Sequence, residues 1–316
     1  MSGIIAVDIG GTQIRAAVYP QQGITSTRVR RIATVSGEGS VFDRMAALIE
    51  SVRLDETAEA VSVATAGPLD PETGIVIEAA NIPGWKDFPL RDRLAERFGV
   101  PVFVGNDANL AALGEWKYGA GQGHNDLLYL TISTGIGGGV ISHGRLLEGA
   151  HGMAAELGHV VVLPDGPLCS CGQRGHLEAI ASGTAIARYV SEEIAGGRPS
   201  RLAGAANISA REAAGAAAQG DELAREAFQR AGKYLGQAVA GFLHIFNPSI
   251  VIFGGGVSLS GALLLDPVRA SVQRLVMTPA YLDGLQIVLA RLGDDAGLLG
   301  ALAQARIKLS ELSPTG

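Results

Sequence analysis

Strands and helices alternate along this chain, and a strand, glycine turn, strand unit occurs twice, about 125 residues apart. These two observations, with no low-complexity segment or long linker between the units, predict an α/β fold. The expected architecture is two related domains, each a mixed sheet with helices around it, facing each other across a cleft.

Each element has its own signal. The apolar run 3–7 ends at Asp8, and residues 14–19 (IRAAVY) form a second strand, so DIGGTQ is a hairpin turn and not a strand-to-helix crossover. Residues 40–53 carry a helical pattern. Residues 59–65 read as a buried strand ended by Gly67 and Pro68, residues 90–98 as a short helix, and residues 101–104 as a strand stopping at Gly105. A helix runs from Asn106 to about 117, capped by Asn106 or Asp107. The strand 127–133 then leads through the turn STGIGGG into another strand beginning at 139–142. A glycine-punctuated loop extends to about 175. Residues 176–246 are mostly helical, with 196–207 as a loop and a long apolar-faced stretch over 221–246. NPSIVIFGGG (247–256) is a buried strand feeding a glycine turn, residues 286–290 are a short strand, and residues 295–308 a closing helix.

Composition narrows the function. Net charge is −6, which disfavours a broad nucleic-acid surface, because phosphate backbones require clustered Lys and Arg. No window approaches ~18 uninterrupted apolar residues, so no transmembrane helix is expected. MSGIIAVDIGG lacks the basic start and apolar stretch of a signal peptide. The two cysteines, Cys169 and Cys171, are too close for an ordinary disulfide framework and favour a reducing, cytoplasmic setting. Glycine makes up 44 of 316 residues, about twice the usual ~7%. It clusters in short loops, which implies close backbone approach to something.

Three glycine turns follow apolar strands: Asp8–Thr12, Thr134–Gly139 and Gly254–Val257. Consecutive N–H groups free of side chains form a concavity suited to phosphate. The P-loop pattern occurs nowhere. The dinucleotide pattern G-x-G-x-x-G fails too, because its third position is Val140 in one turn and Leu259 in another. Asp8, at a strand end before the first turn, can hold Mg²⁺ beside a bound phosphate or simply cap the turn, and Thr12 can add a hydroxyl. Asp107 stands at a strand-to-helix junction where a cleft would form. It reads either as a helix N-cap or as a base near an attacking hydroxyl.

DIGGT (8–12), GND (105–107), STGIGGG (133–139), ELGH (156–159) and CSCGQRGHLE (169–178) occur in this order. Together they resemble the ROK family of sugar kinases and repressors, over residues 4 to about 305. The resemblance implies two related actin-like, ribonuclease-H-like domains around a central cleft, within the actin, hexokinase and Hsp70-like superfamily. The domains are expected at 1–115 plus 300–316, and at 116–299. The first two glycine turns correspond to the family's phosphate loops and Gly254–Val257 to its adenosine-side turn. Asp8, Gly10, Gly11, Thr12, Thr134, Gly135, Gly255 and Gly256 are thereby implied in binding ATP and Mg²⁺. Asp107 matches the family's catalytic base. Asn81 (in NIPGW), Asn106, Asp107, Glu156, His159 and Glu178 match its sugar-contacting positions.

His159, Cys169, Cys171 and position 176 match the family's zinc knuckle of one histidine and three cysteines. Here position 176 is His176, a competent ligand whose imidazole reaches farther than a thiolate, so a distorted site or two free cysteines remain open. Gln13 stands where many members carry lysine. His124, His143, His151 and His244 match no motif and read as surface or satisfied histidines.

The implied activity is phosphorylation of the 6-hydroxyl of a hexose by ATP, with glucose the first choice. Mannose, fructose, N-acetylglucosamine or N-acetylmannosamine are alternative substrates, and polyphosphate an alternative donor. A sugar-responsive repressor needs an N-terminal helix-turn-helix domain, and DIGGT begins at residue 8. A non-catalytic sugar sensor would not need Asp107 and the phosphate loops. The resemblance also implies a homodimer or homotetramer.

Overall fold

In the computed structural model, residues 3–35, 38–54, 57–79 and 81–312 are described. The first half of the chain builds β1 (Gly3–Ile9), β2 (Gln13–Pro20), β3 (Arg28–Ala33), α1 (Val41–Arg53), β4 (Ala58–Thr65), β5 (Leu69–Asp70), β6 (Ile75–Glu78), β7 (Lys86–Pro89), α2 (Leu90–Phe98), β8 (Val102–Asn106) and α3 (Asp107–Tyr118). The second half builds β9 (Leu127–Ile132), β10 (Ile136–Ser142), β11 (Arg145–Leu146), α4 (Glu178–Ala181), α5 (Gly183–Ala195), α6 (Ala210–Ala218), α7 (Glu222–Phe246), β12 (Ile250–Gly254), α8 (Ala262–Leu275), β13 (Gln286–Leu289) and α9 (Ala296–Leu312).

The duplication seen in the sequence is a duplication of topology. One five-stranded sheet has the order β3-β2-β1-β4-β8 and the other β11-β10-β9-β12-β13. In each, an antiparallel meander supplies three strands, and two further strands add in parallel. Parallel addition requires crossover connections, which the helices provide.

Helices α3 and α9 lie where the two sheets meet. One apolar cluster joins Ile4, Ala6 and Tyr19 of the first sheet to Leu127, Tyr129 and Ile252 of the second through Leu110, Leu298 and Leu302 of these helices. Gln304 of α9 is buried and paired, accepting from Ser62 Oγ at 2.9 Å and donating to the Val104 carbonyl at 3.3 Å.

Three readings change. Ile136–Gly139 belongs to strand β10, so the second glycine turn is confined to Ser133–Gly135. The glycines of β10 serve close packing. A Cβ on Gly137 would lie 2.8 Å from the Ala108 Cβ, and one on Gly139 2.5 Å from the Ala112 Cβ. The strand expected to stop at Gly105 continues to Asn106, because Gly105 is there to admit Gln304 and Leu110 at 2.9 Å from a would-be Cβ. Likewise β12 includes Gly254, leaving Gly255–Val257 as the third turn. Helix α8, strand β3 and the small antiparallel sheet β5-β6-β7 carry no simple sequence signal; α8 even has Pro267 inside it.

Where α3 and α9 cross, glycine meets backbone. A Cβ on Gly300 would collide with the Leu110 carbonyl, and one on Gly114 would sit 2.7 Å from the Ala296 carbonyl. Backbone cannot swing aside as a side-chain end can. Gly300→Ala is therefore expected to destabilise the chain by about 2–4 kcal/mol. The test is the urea unfolding midpoint: an unchanged midpoint would show that the crossing tolerates a methyl group.

Candidate active site

The sequence left open whether Asp107 caps its helix. Asn106 is the cap: its Oδ1 accepts from the N–H groups of Ala108 (3.0 Å) and Asn109 (3.1 Å). Asp107 Oδ1 accepts from Ala108 N–H at 2.8 Å. Its Oδ2 accepts no hydrogen bond from another residue among the described residues.

The pKa of Asp107 is pushed up to about 7. Burial is the largest cause, the Asp8 charge adds to it, the Ala108 N–H opposes it, and Glu156 raises it further. The residue is half-buried, and its surroundings keep most water from its carboxyl group.

Asp8, at the end of β1, is also raised by burial and by Asp294 and Asp295, against the lowering effect of Arg15. Next to it, the first glycine turn is a tight hairpin in which Gly10 N–H donates to the Gln13 carbonyl at 3.0 Å. The N–H groups of Gly11 and Thr12 have no protein acceptor among the described residues, as an anion site requires. Gly11 is glycine because Asn81 packs on it, its Cβ 2.7 Å from where a Cβ of Gly11 would stand. The contact brings the predicted sugar residue Asn81 against the predicted phosphate turn.

Glu156 precedes a short 3-10 turn, Leu157–His159, and follows Ala155, whose φ of 65° is left-handed. That conformation costs an alanine about 1–2 kcal/mol. Glu156 is exposed, yet its surroundings remove enough water to raise its pKa, with His159 opposing and Glu178 reinforcing the shift.

Glu178 is more committed than the sequence suggested. Its Oε2 accepts from Ile136 N–H at 2.9 Å, and its Oε1 accepts from Ser170 Oγ at 2.9 Å and from the Cys169 thiol at 3.6 Å. The carboxylate is a strut between the second glycine turn and the cysteine loop.

In that loop, ligand atoms of His159, Cys169, Cys171 and His176 all lie within 4.8 Å of one another. The two Nδ1 atoms are 3.3 Å apart, Cys171 Sγ is 3.3 Å from His176 Nδ1, and Cys169 Sγ is 3.7 Å from His159 Nδ1. Zinc bonds near 2.0–2.1 Å to nitrogen and 2.3 Å to sulfur imply tetrahedral edges of roughly 3.3 Å and 3.5 Å. The residues fit such an ion. The distortion anticipated for histidine does not arise, because His176 offers its near nitrogen, Nδ1, at about the reach of a thiolate. His159 also turns Nδ1 inward, which leaves Nε2 on the far side of its ring.

A cavity of about 700 Å³ opens between the second and third glycine turns. Ser133, Thr134, Gly183, Thr184, Gly256 and Val257 form its floor, and Ile208, Ala214, Phe228 and Leu259 its apolar walls. Thr184 Oγ1 donates to the Thr134 carbonyl at 2.8 Å, and Gly183 N–H to the Ser133 carbonyl at 2.8 Å. Gly255 needs its φ of 81°, and its Cα faces the Ile132 backbone. Gly183 and Thr184 were missed from sequence. Ser182-Gly183-Thr184 at a helix start was the available signal, since Ser182 accepts from Ala185 N–H at 3.2 Å as an N-cap. Among the unassigned histidines, His124 is held by Ser249 Oγ at 2.7 Å, and His244 accepts from Met277 N–H at 3.0 Å.

Two linked sheets of one topology, three glycine turns and a half-buried carboxylate with a raised pKa define a phosphotransferase of actin-like fold, and comparison with known proteins agrees. The model of the ROK family matches residues 4–307, and the chain belongs to that family. It is 44% identical to a glucokinase of Thermotoga maritima over 303 residues, covering 94% of this chain and 95% of that one. The crystal structure of a ROK family glucokinase from Streptomyces griseus in complex with glucose and AMPPNP superposes with a TM-score of 0.82 at 38% identity, covering 96% and 99% of the two chains. A ROK hexokinase from Thermus thermophilus gives 0.81 at 37% identity, covering 98% and 99%.

Two outcomes follow from this geometry. A carboxyl that ionises near 7 when folded and near 3.8 when unfolded binds more proton in the folded state between those values, so its contribution lowers stability as pH rises through that window. Asp107→Asn is expected to stabilise the chain by about 1–3 kcal/mol at pH 8 and hardly at all at pH 4, less than the full shift because some water reaches the group. Equal melting temperatures of the two proteins at pH 8 would contradict the buried charge. Elemental analysis is expected to find close to one zinc per chain, lost in Cys169→Ser and Cys171→Ser; a zinc-free native protein would show the cluster to be only hydrogen-bonded.

Proposed function

We propose that this chain is an ATP-dependent hexose kinase acting on the 6-hydroxyl of glucose. The observation that carries the reading is Asp107: a carboxylate relieved of helix capping, ionising near neutral pH, between a phosphate turn and the sugar-contacting loops. A base must be within reach of the hydroxyl proton and suitably matched in pKa. The glucokinase and hexokinase relatives, similar over nearly the whole chain, support ATP and glucose as substrates.

In this reading the 700 Å³ cavity receives the nucleoside. Its apolar walls suit a base, and Thr134, Thr184 and the Gly255–Gly256 backbone suit ribose and phosphate. The triphosphate then extends to Gly10, Gly11 and Thr12. Mg²⁺, held from the Asp8 side, supplies neutralisation of the phosphate oxygens. Asn81, Asn106, Glu156, His159 and Glu178 pair the sugar hydroxyls. Asn106 contributes its amide, since its carbonyl is capping α3; Glu178 contributes while also bracing the cysteine loop. Asp107 takes the O6 proton as O6 bonds to the γ-phosphorus, and the bond from that phosphorus to the ADP oxygen breaks. His159, Cys169, Cys171 and His176 would hold a structural zinc ion, which would fix the loop that aligns Glu156, His159 and Glu178.

Residues 1–115 with 300–316 are taken as the smaller domain and 116–299 as the larger; 313–316 lie outside the described residues. A cytoplasmic homodimer or homotetramer completes the proposal. The two cysteines, Cys169 and Cys171, are free of disulfide bonds, in keeping with a reducing compartment.

A coupled assay over a sugar panel tests the function. Glucose is expected to be phosphorylated well above N-acetylmannosamine, and Asp107→Ala to lower kcat by about 10²–10⁴-fold with glucose binding little changed. Near-native turnover of that variant, or no phosphorylation of any hexose, would overturn the proposal.

A further inference from the structure

We propose that Arg15 is the positioning residue of the metal and phosphate end of the site, an inference that rests on the kinase reading above. Arg15 is the cross-strand partner of Asp8 in the β1–β2 register and is only 9% exposed. Its Nη2 lies 3.6 Å from Asp8 Oδ2 and also donates to the Asp294 carbonyl, while Nη1 lies 3.3 Å from Asp295 Oδ1. One rigid fork thus grips both the strand end that carries Asp8 and the segment that leads into α9. A lysine cannot do this, because its ammonium is a single point charge.

The grip has a fixed anchor. Glu115 of α3 is fully buried, and its Oε1 accepts from the N–H groups of Arg291 (2.9 Å) and Leu292 (2.7 Å), just before Asp294. Beyond Asp295, the first turn of α9 closes on the other side of Asp8: a Cβ on Gly297 would stand 2.8 Å from the Asp8 Cγ. Asp8 is thereby confined between Arg15 and α9, with Asp294 and Asp295 repelling it. Arg15 decides where the carboxylate points. It also lies beside the first glycine turn, whose N–H groups at Gly11 and Thr12 have no protein acceptor among the described residues. Removing the guanidinium releases Asp8 and leaves three acidic residues without their shared cation. The sugar-side residues Glu156, His159 and Glu178 are on other elements and make no contact with Arg15.

The test compares native protein with Arg15→Met, Arg15→Lys and Asp295→Asn. Calorimetry with Mg²⁺ and AMPPNP, and the Mg²⁺ concentration for half-maximal rate, are both expected to weaken at least 10-fold in Arg15→Met. Glucose affinity measured without nucleotide is expected to stay within about twofold. Arg15→Lys recovers part of the loss, and Asp295→Asn shows a smaller loss in the same direction. Should Arg15→Met fail to fold, the other two variants carry the same comparison. A native Mg²⁺ dependence in these variants, or an equal loss of glucose affinity, would overturn the inference. Failure of the native chain to phosphorylate any hexose would instead overturn the kinase reading, and the calorimetric arm would still decide the role of Arg15.

Discussion

The molecule depends on how closely α3 is gripped. This helix carries Asp107 at its first turn, and every residue from Ala108 to Glu115 is buried. On one side Ala108 and Ala112 press against Gly137 and Gly139 of β10; on the other, Leu110 and Gly114 meet Gly300 and Ala296 of α9 through backbone. Neither face can accept a Cβ on its glycines. A helix so held has no freedom to slide or rotate, so the Asp107 carboxylate is placed by the packing of two sheets and not by its own loop. Sites built on such elements are more exact than sites on loops. Close helix packing also accounts for part of the glycine excess noted in the sequence.

A site that gathers carboxylates opposes its own folding. Asp8, Asp107 and Glu156 all have raised pKa values, with burial the first cause in each case. Arg15 is the cation that lowers Asp8. The deficit of positive charge suits a divalent cation and a base that must be ready to take a proton. It is harmful to stability at neutral pH, and the apolar cluster around α3 and α9 has to outweigh it. Gln13 fits the same picture: where a lysine would bring charge to the first turn, this chain has an exposed amide, and Arg15 two residues on supplies the cation from below the sheet surface.

Much of this was legible in the sequence because the signals were local. Strands β1, β2, β4, β9 and β12 are apolar runs with sharp ends, and the two hairpin units betrayed the duplication. What the sequence concealed was the reason for each glycine. Gly255 needs a positive φ, and a glycine of that kind marks a turn. Gly137, Gly138 and Gly139 do not; they sit in an ordinary strand because Ala108, Leu157 and Ala112 leave no room for a Cβ. A run of glycine letters looks the same in both cases, so the first half of β10 reads as turn in the sequence. The choice between Asn106 and Asp107 as cap was hidden for a similar reason: both residues cap well, and only the hydrogen bonds separate them. The links from Glu115 to Arg291 and Leu292, and from Arg15 to Asp294 and Asp295, belong to no local pattern, since these partners lie far along the chain.

His176 shows how a departure from a family pattern can be chemically conservative. A third cysteine would present sulfur one bond beyond Cβ; histidine presents Nδ1 two bonds beyond it, and the ring then fills space that a thiolate leaves empty. The small antiparallel bridge between Val161 and His176 holds the backbone at the required distance, and His176 itself is 8% exposed. The exchange leaves the four-residue cluster intact and changes the charge it would have with a metal: two thiolates and two neutral imidazoles would balance Zn²⁺, whereas three thiolates and one imidazole would leave a net negative charge. That difference reaches Glu178, whose Oε1 is within hydrogen-bonding distance of the Cys169 sulfur and Ser170. A neutral metal site would repel this carboxylate less than an anionic one. The same carboxylate holds Ile136 N–H at the second glycine turn, so the substitution at position 176 favours the strut that joins the metal loop to the phosphate side of the cleft.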